Sequence, residues 1–280
     1  MNRRILSELL DRNDDHVAAL APGAFDRHRD DQRPGVVSVC CSDSRVSQEG
    51  MFAVDEPGFL FTSGAIGNSV SALVDGERVL DGSVAYPLRH THTEVLAVVG
   101  HTGCGAVGAA LAAARTGEFP AEPGVRADVE ALLPIVESGL ADPAVVGEDG
   151  EGATDDATAD DVPVDDWTAD YAPVDDWTAD YAPVDDASGG DETADDADGA
   201  VASSVRDRLV EYNVHEQVAF ARESEEAADA TVYGFVYDLH GVYGDRDGVV
   251  YLVNADGERD PAALRELVGD AHADHVATLL

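Results

Sequence analysis

Two short apolar runs constrain this chain more than any other feature. Val36-Val37-Ser38-Val39-Cys40 follows the break Pro34-Gly35, and Val95-Leu96-Ala97-Val98-Val99-Gly100 is equally continuous. Runs this short, rich in β-branched residues and without polar alternation, read as strands covered on both faces, the signature of a parallel sheet. Each run stops at a cluster of reactive side chains. Cys41-Ser42-Asp43-Ser44-Arg45 follows the first, and His101-Thr102-Gly103-Cys104-Gly105 follows the second. The carboxyl ends of parallel strands are the rim at which open α/β sheets hold their ligands.

The remaining periodicity completes an α/β plan. Residues 5–10 and 16–20 have helical spacing, and residues 59–62 read as another strand. The alanine-rich stretch 105–115 predicts a helix that stops at Gly117. Residues 201–222 predict a long helix with Val205, Leu209 and Tyr212 on one face. Two late runs, 231–237 and 249–253, are strands joined through Gly241, Gly244 and Gly248 and suggest an antiparallel edge. The expected fold is therefore a mostly parallel β-sheet with an antiparallel edge strand and helices on both faces.

One segment differs in kind. Residues 148–199 hold 20 acidic residues and no basic one, and they contain a perfect tandem decamer, residues 164–173 repeated as 174–183. Both tryptophans, Trp167 and Trp177, lie in the repeat, beside Tyr171 and Tyr181. A single pair of ten-residue copies is too short for a solenoid. Its composition predicts a disordered insertion within a single catalytic domain spanning 1–280. The aromatic residues leave docking as a second reading of the segment.

The charge is extreme throughout. The formal net charge is −40, the residues outside the insertion still carry −20, and the chain has no lysine. Phosphates would be repelled, which argues against nucleic-acid binding. A surface of this kind suits a salt-rich halophile cytoplasm, where the Debye length falls to ~3 Å or less and self-repulsion is screened. Acids soon after Met1-Asn2-Arg3-Arg4 speak against a signal peptide, and no stretch approaches a membrane span. Three cysteines do not build a disulfide framework and fit a reducing cytoplasm.

Two thiolates and one imidazole, from Cys41, His101 and Cys104, form a soft donor set that suits tetrahedral zinc. Three protein ligands leave one position open, as in catalytic sites. A buried cysteine at a strand end can equally be a small hydrophobe. Asp43 and Arg45 weigh against that reading, because an acid and a base beside such a position require each other as partners.

These motifs resemble those of the beta-class carbonic anhydrases, which carry Cys-x-Asp-Ser-Arg and, some sixty residues on, His-x-x-Cys-Gly. Here Cys41 and His101 are 60 positions apart. Further matches occur in order: Asn13 and Phe25, Gln32-x-Pro34, Gly67-Asn68, Ser83-x-x-Tyr86, Asn213-Val214-x-x-Gln217-Val218 and Gly234-x-x-Tyr237-Asp238. The acidity marks the chain as resembling a halophilic archaeal member. The resemblance implies a zinc enzyme that hydrates carbon dioxide to bicarbonate and a proton. Cys41, His101 and Cys104 would be ligands, and Asp43 would orient the attacking water with Arg45 holding it ionised. Asp43 is alternatively a fourth ligand in a closed state. It also implies an intertwined homodimer, or a higher even oligomer, with N-terminal helices reaching the partner. Hydrolysis of carbon disulfide or carbonyl sulfide at the same site, and a non-catalytic zinc protein, are the alternatives. Two thiolates offset the metal's charge, so activity is expected to favour alkaline pH.

The chain departs from the family at Gly64-Ala65-Ile66-Gly67-Asn68, at Ser38 and at Ser83-Val84-Ala85-Tyr86. Ser38 and Gly64 replace the tryptophan and arginine of an inhibitory bicarbonate pocket found in one bacterial subgroup, so that pocket is not expected here. Of the other candidates, Cys40 should face away from Cys41 as a core residue. The pair His90-Thr91-His92 reads as solvated, with proton shuttling as the alternative. His272-x-x-His275 reads as a frayed, exposed helix rather than a metal pair.

Overall fold

The fold is described for residues 3–147 and 203–280 of a computed structural model; the insertion 148–199, with its repeat, lies outside them. In chain order the elements are α1 (Arg3–Ala19), β1 (Val36–Cys41), α2 (Gln48–Met51), β2 (Leu60–Ala65), β3 (Ser71–Val74), β4 (Glu77–Leu80) and α3 (Gly82–His90). There follow β5 (Val95–His101), α4 (Gly105–Thr116), α5 (Pro123–Leu140), α6 (Pro143–Val146), α7 (Val205–Glu223), β6 (Thr231–Asp238), β7 (Val249–Ala255) and α8 (Pro261–Val268). The main sheet has the order β2-β1-β5-β6-β7, and β3 and β4 pair as a separate hairpin.

All neighbours in the main sheet are parallel except β6 and β7, which run antiparallel at one edge. This is the arrangement that the two apolar runs and the two late strands predict. Both runs are almost wholly buried, as expected of strands covered on two faces. One face packs Val37, Val39, Leu96, Val98, Val232 and Val236 against α4, α5 and α7. The other carries Cys40, Ala97 and Val99 with Met51, Phe52 and Phe235. Cys41 belongs to the first face and Cys40 to the second, as strand alternation requires.

Helix α7 packs directly on β5 and β6. It starts with a capping box in which Ser204 and Asp207 satisfy each other's backbone N–H groups. Glycine at 100 and 234 makes room for it: a Cβ at Gly100 would sit 2.8 Å from Val214 Cγ2, and one at Gly234 would sit 2.7 Å from Val214 Cγ1. The same helix buries Glu211 completely, where it accepts hydrogen bonds from the Tyr243 hydroxyl at 2.7 Å, the Leu279 N–H at 2.8 Å and the Thr278 hydroxyl.

Some details differ from the sequence expectation. The two N-terminal helical stretches form one helix, with the intervening polar residues 11–15 exposed to solvent. The 270–275 segment is a short 3-10 turn rather than a frayed helix, and a ring nitrogen of His275 lies 2.9 Å from the Val250 carbonyl.

Candidate metal centre

Strands β1 and β5 are direct neighbours, with Cys40 opposite Val99, so residues distant in sequence finish side by side. Cys41 is the last residue of β1 and His101 the last of β5. Cys104 caps the N-terminus of α4 after a tight turn in which Gly103 takes φ 66°, a left-handed value that glycine adopts freely. The ligand atoms of Cys41, His101 and Cys104 lie within 4.8 Å of one another, and all three residues are buried.

The donor geometry fits zinc. The two sulfurs are 3.7 Å apart, and two thiolates bound tetrahedrally at about 2.3 Å would be separated by about 3.8 Å. A ring nitrogen of His101, Nδ1, lies 3.0 Å from the Thr102 carbonyl. That contact places the proton on Nδ1 and leaves Nε2 with a lone pair facing the sulfurs. Nε2 is buried without a hydrogen-bond partner, a position that costs about 1–3 kcal/mol unless something accepts the lone pair. A metal ion at the centre of the three residues would do so.

The electrostatics favour an anionic sulfur. The Cys41 thiol is drawn down to about 5, chiefly by the hydrogen bond with Cys104 and further by the Gly67 N–H, against the opposing effect of burial. Cys104 is pushed up by that same bond and by burial, against the opposing pull of the Ala106 and Val107 N–H groups at the start of α4. Cys40, by contrast, is pushed up to about 12 by burial, as suits a core thiol.

Asp43 stands beside this group rather than in it. Its Oδ2 is 3.6 Å from His101 Nε2, while Arg45 holds the carboxylate in a two-pronged pair, Nη2 to Oδ2 at 2.8 Å and Nε to Oδ1 at 3.0 Å. The Arg45 backbone N–H adds a third bond at 2.9 Å. Arg45 therefore holds Asp43 down at about 2, ionised across the physiological range. The pairing expected from the sequence is formed, and it turns the carboxylate toward arginine.

The chain matches the carbonic anhydrase family over residues 36–161, a stretch that includes all five of these residues. It is 36% identical over 129 residues to carbonic anhydrase 2 of Mycobacterium tuberculosis, covering 46% of this chain and 54% of the relative. The chain thus spans about half the length of the curated relatives it matches first. Its fold resembles a Coccomyxa beta-carbonic anhydrase solved with acetazolamide, with TM-score 0.57, 20% identity, and 93% and 91% of the two chains covered. It also resembles tetrameric beta-carbonic anhydrases of Sordaria macrospora, with TM-score 0.57, 14% identity, and 90% and 98% covered.

The other sequence candidates lie elsewhere. His90 is exposed, with its ring 5.2 Å from that of Tyr86. His272 and His275 line a groove on the second sheet face, and among the described residues the only metal-competent group is Cys41, His101 and Cys104. Ser38 is fully buried and Gly64 exposed. Around the turn, Asp238, quoted above only as part of Gly234-x-x-Tyr237-Asp238, meets the Thr102 hydroxyl, and the sequence reading missed Asp207, whose carboxylate accepts the Gly103 N–H at 2.9 Å, and His240, which also meets that hydroxyl. The legible signal for Asp207 was the spacing Ser204-x-x-Asp207, because single acids in so acidic a chain carry little information.

Proposed function

We propose that this chain catalyses the reversible hydration of carbon dioxide to bicarbonate and a proton, with zinc held by Cys41, His101 and Cys104. The observation that carries the reading is the buried two-sulfur, one-nitrogen group with Asp43 beside it and turned toward Arg45. Zinc there would supply the Lewis acidity that makes water nucleophilic near neutral pH. Asp43, acceptor-only while ionised, would take a hydrogen bond from the attacking water and hold its lone pair toward the carbon. Arg45 keeps Asp43 charged and pairs with both of its carboxylate oxygens, which speaks for an open fourth position over a closed one. The test is stopped-flow hydration of carbon dioxide beside hydrolysis assays with carbon disulfide and carbonyl sulfide. Hydration far above the uncatalysed rate supports the proposal. Hydrolysis of the sulfur compounds without hydration overturns it.

A homodimer or larger even oligomer is part of the proposal. Helix α1 buries none of its residues and exposes Leu6, Leu9, Leu10 and Val17. On the second sheet face, Met51, Phe52, Phe235 and Leu252 line a groove of about 660 Å³. A second copy of the chain would cover both surfaces. Among the described residues no helix is long and apolar enough to cross a membrane, and a cytoplasmic location is proposed on the cysteine content.

Adaptation to high salt is likewise proposed. With −20 outside the insertion on every subunit, repulsion opposes folding and association once salt no longer screens it. Lowering salt from molar to ~0.1 M is expected to drop the melting temperature by at least ~5 °C, the shift that about 2 kcal/mol produces in a domain of this size. Calorimetry and sedimentation across a salt series check this, and a flat response removes the halophile reading.

The segment 148–199 is proposed to interrupt the catalytic domain without contributing to it. The five site residues precede it, and α7 begins after it with its own cap. Replacing the segment by a short Gly/Ser linker should leave zinc content and turnover within about twofold, since closing a shorter loop costs less entropy. Loss of activity on deletion, together with blue-shifted emission from Trp167 and Trp177 in the intact protein, would show that it docks.

A further inference from the structure

We propose that Asp238 and Thr102 are positioning residues for the turn between His101 and Cys104, setting the orientation of the His101 ring; this rests on the zinc reading of that turn. The turn supplies two of three ligands, so its rigidity fixes the donor geometry. Thr102 is fully buried and connects the ligand to the next strand. Its carbonyl oxygen meets His101 Nδ1 at 3.0 Å, and its own N–H donates to the Tyr237 carbonyl at 3.1 Å.

The hydroxyl is the anchor. Thr102 Oγ1 lies 3.3 Å from Asp238 Oδ1 and 2.8 Å from His240 Nδ1, and it accepts from the Leu239 N–H at 2.8 Å. A threonine hydroxyl has one hydrogen to give and two lone pairs. All three contacts are satisfied together only if it donates to Asp238 and accepts from Leu239 N–H and from His240 Nδ1–H. Asp238 is itself fully buried, and it also accepts the backbone N–H groups of His240 at 3.1 Å and Tyr243 at 2.8 Å. One carboxylate thus gathers the loop after β6 and fastens the ligand turn to it.

The turn is held from its other sides as well. Asp207 at the start of α7 accepts the Gly103 N–H at 2.9 Å. The His240 ring covers Gly103 so closely that a Cβ there would come within 2.5 Å of its Cε1. Removing the Thr102 hydroxyl therefore frees the one residue that both carries the carbonyl orienting His101 and anchors on Asp238. Partners of this outer kind typically change metal affinity by 10–100-fold.

The test compares Thr102→Val, which keeps the shape and loses the hydroxyl, with Thr102→Ser, which restores it, and adds Asp238→Asn. Two measurements are made on metal-loaded protein in molar salt: the rate at which a chromogenic chelator strips zinc, and the visible absorption of the cobalt-substituted protein. A third, amide hydrogen exchange at Thr102, Gly103 and Cys104, is read on metal-free protein. Thr102→Val is expected to release zinc roughly 10–100-fold faster with a shifted cobalt spectrum, whereas Thr102→Ser stays within about twofold of the unsubstituted chain. Amide exchange at the turn should be at least about tenfold faster in Thr102→Val and Asp238→Asn, reflecting local opening. Unchanged zinc release and cobalt spectrum in a folded Thr102→Val protein would overturn the proposal, as would unchanged exchange. If the unsubstituted chain takes up no zinc, the metal reading fails by itself, and the exchange measurement still decides whether the clamp exists. If Thr102→Val does not fold, Asp238→Asn gives the same readouts.

Discussion

Replacing Cys41, His101 or Cys104 with alanine is expected to remove zinc and hydration activity together. Each would provide one of only three protein ligands, two of them from a single turn, and water is a poor substitute for a thiolate. Losing an outer partner of a metal ligand already costs 10–100-fold in affinity, so losing a ligand should cost more than ~10²-fold. After dialysis, metal analysis should find zinc near zero in each variant and about one ion per chain in the parent. The backbone should survive, because the three side chains close the end of the sheet and do not build its centre. Near-native melting in molar salt would show this. Full turnover with zinc lost from any of the three variants would sink the assignment.

Asp43→Asn should give the opposite pattern: zinc retained and turnover lowered by roughly 10²-fold or more, the usual contribution of a positioned proton acceptor. The amide is nearly isosteric but offers one acceptor oxygen where the carboxylate has two, and it can also donate. It also leaves the Arg45 guanidinium with a neutral partner in place of the two-pronged ion pair that now holds the carboxylate at 2.8 and 3.0 Å. Measuring kcat beside zinc content separates the outcomes. Near-normal turnover would reduce Asp43 to a bystander. Zinc lost along with activity would make it a permanent ligand and would favour a non-catalytic zinc protein.

How much of this was visible in the sequence depends on the element. Strands β1 and β5 were legible because continuous β-branched runs between breakers have few other uses, and their reactive ends pointed to the rim. Helix α4 was legible from its alanines and from Gly117, which closes it at φ 75°. Helix α5 was not, because Pro123, Gly124 and Pro134 suggest interruption. Pro123 instead occupies the first turn, where its missing N–H is harmless, and Pro134 is tolerated inside the helix. The hairpin of β3 and β4 carried a signal that went unused: Asp75-Gly76 with positive φ at both residues is the preferred two-residue turn. The candidate metal-binding group Cys41, His101 and Cys104 was legible from residue type and spacing, and the pairing of Asp43 with Arg45 from their adjacency. The buried acids were not. Asp207 and Glu211 are two among 57 acidic residues, and although Asp238 stood in a quoted motif, only the folded chain distinguishes a carboxylate that gathers backbone N–H groups from one that faces solvent.

The most direct test of the whole account is a zinc titration read by turnover. Protein stripped of metal in molar salt is reloaded stepwise, and stopped-flow hydration of carbon dioxide is measured at each step at mildly alkaline pH. Turnover should rise in proportion to bound zinc and level off at one ion per chain. Full turnover in the stripped protein, or none at one zinc per chain, would contradict the assignment of Cys41, His101 and Cys104 as the catalytic centre.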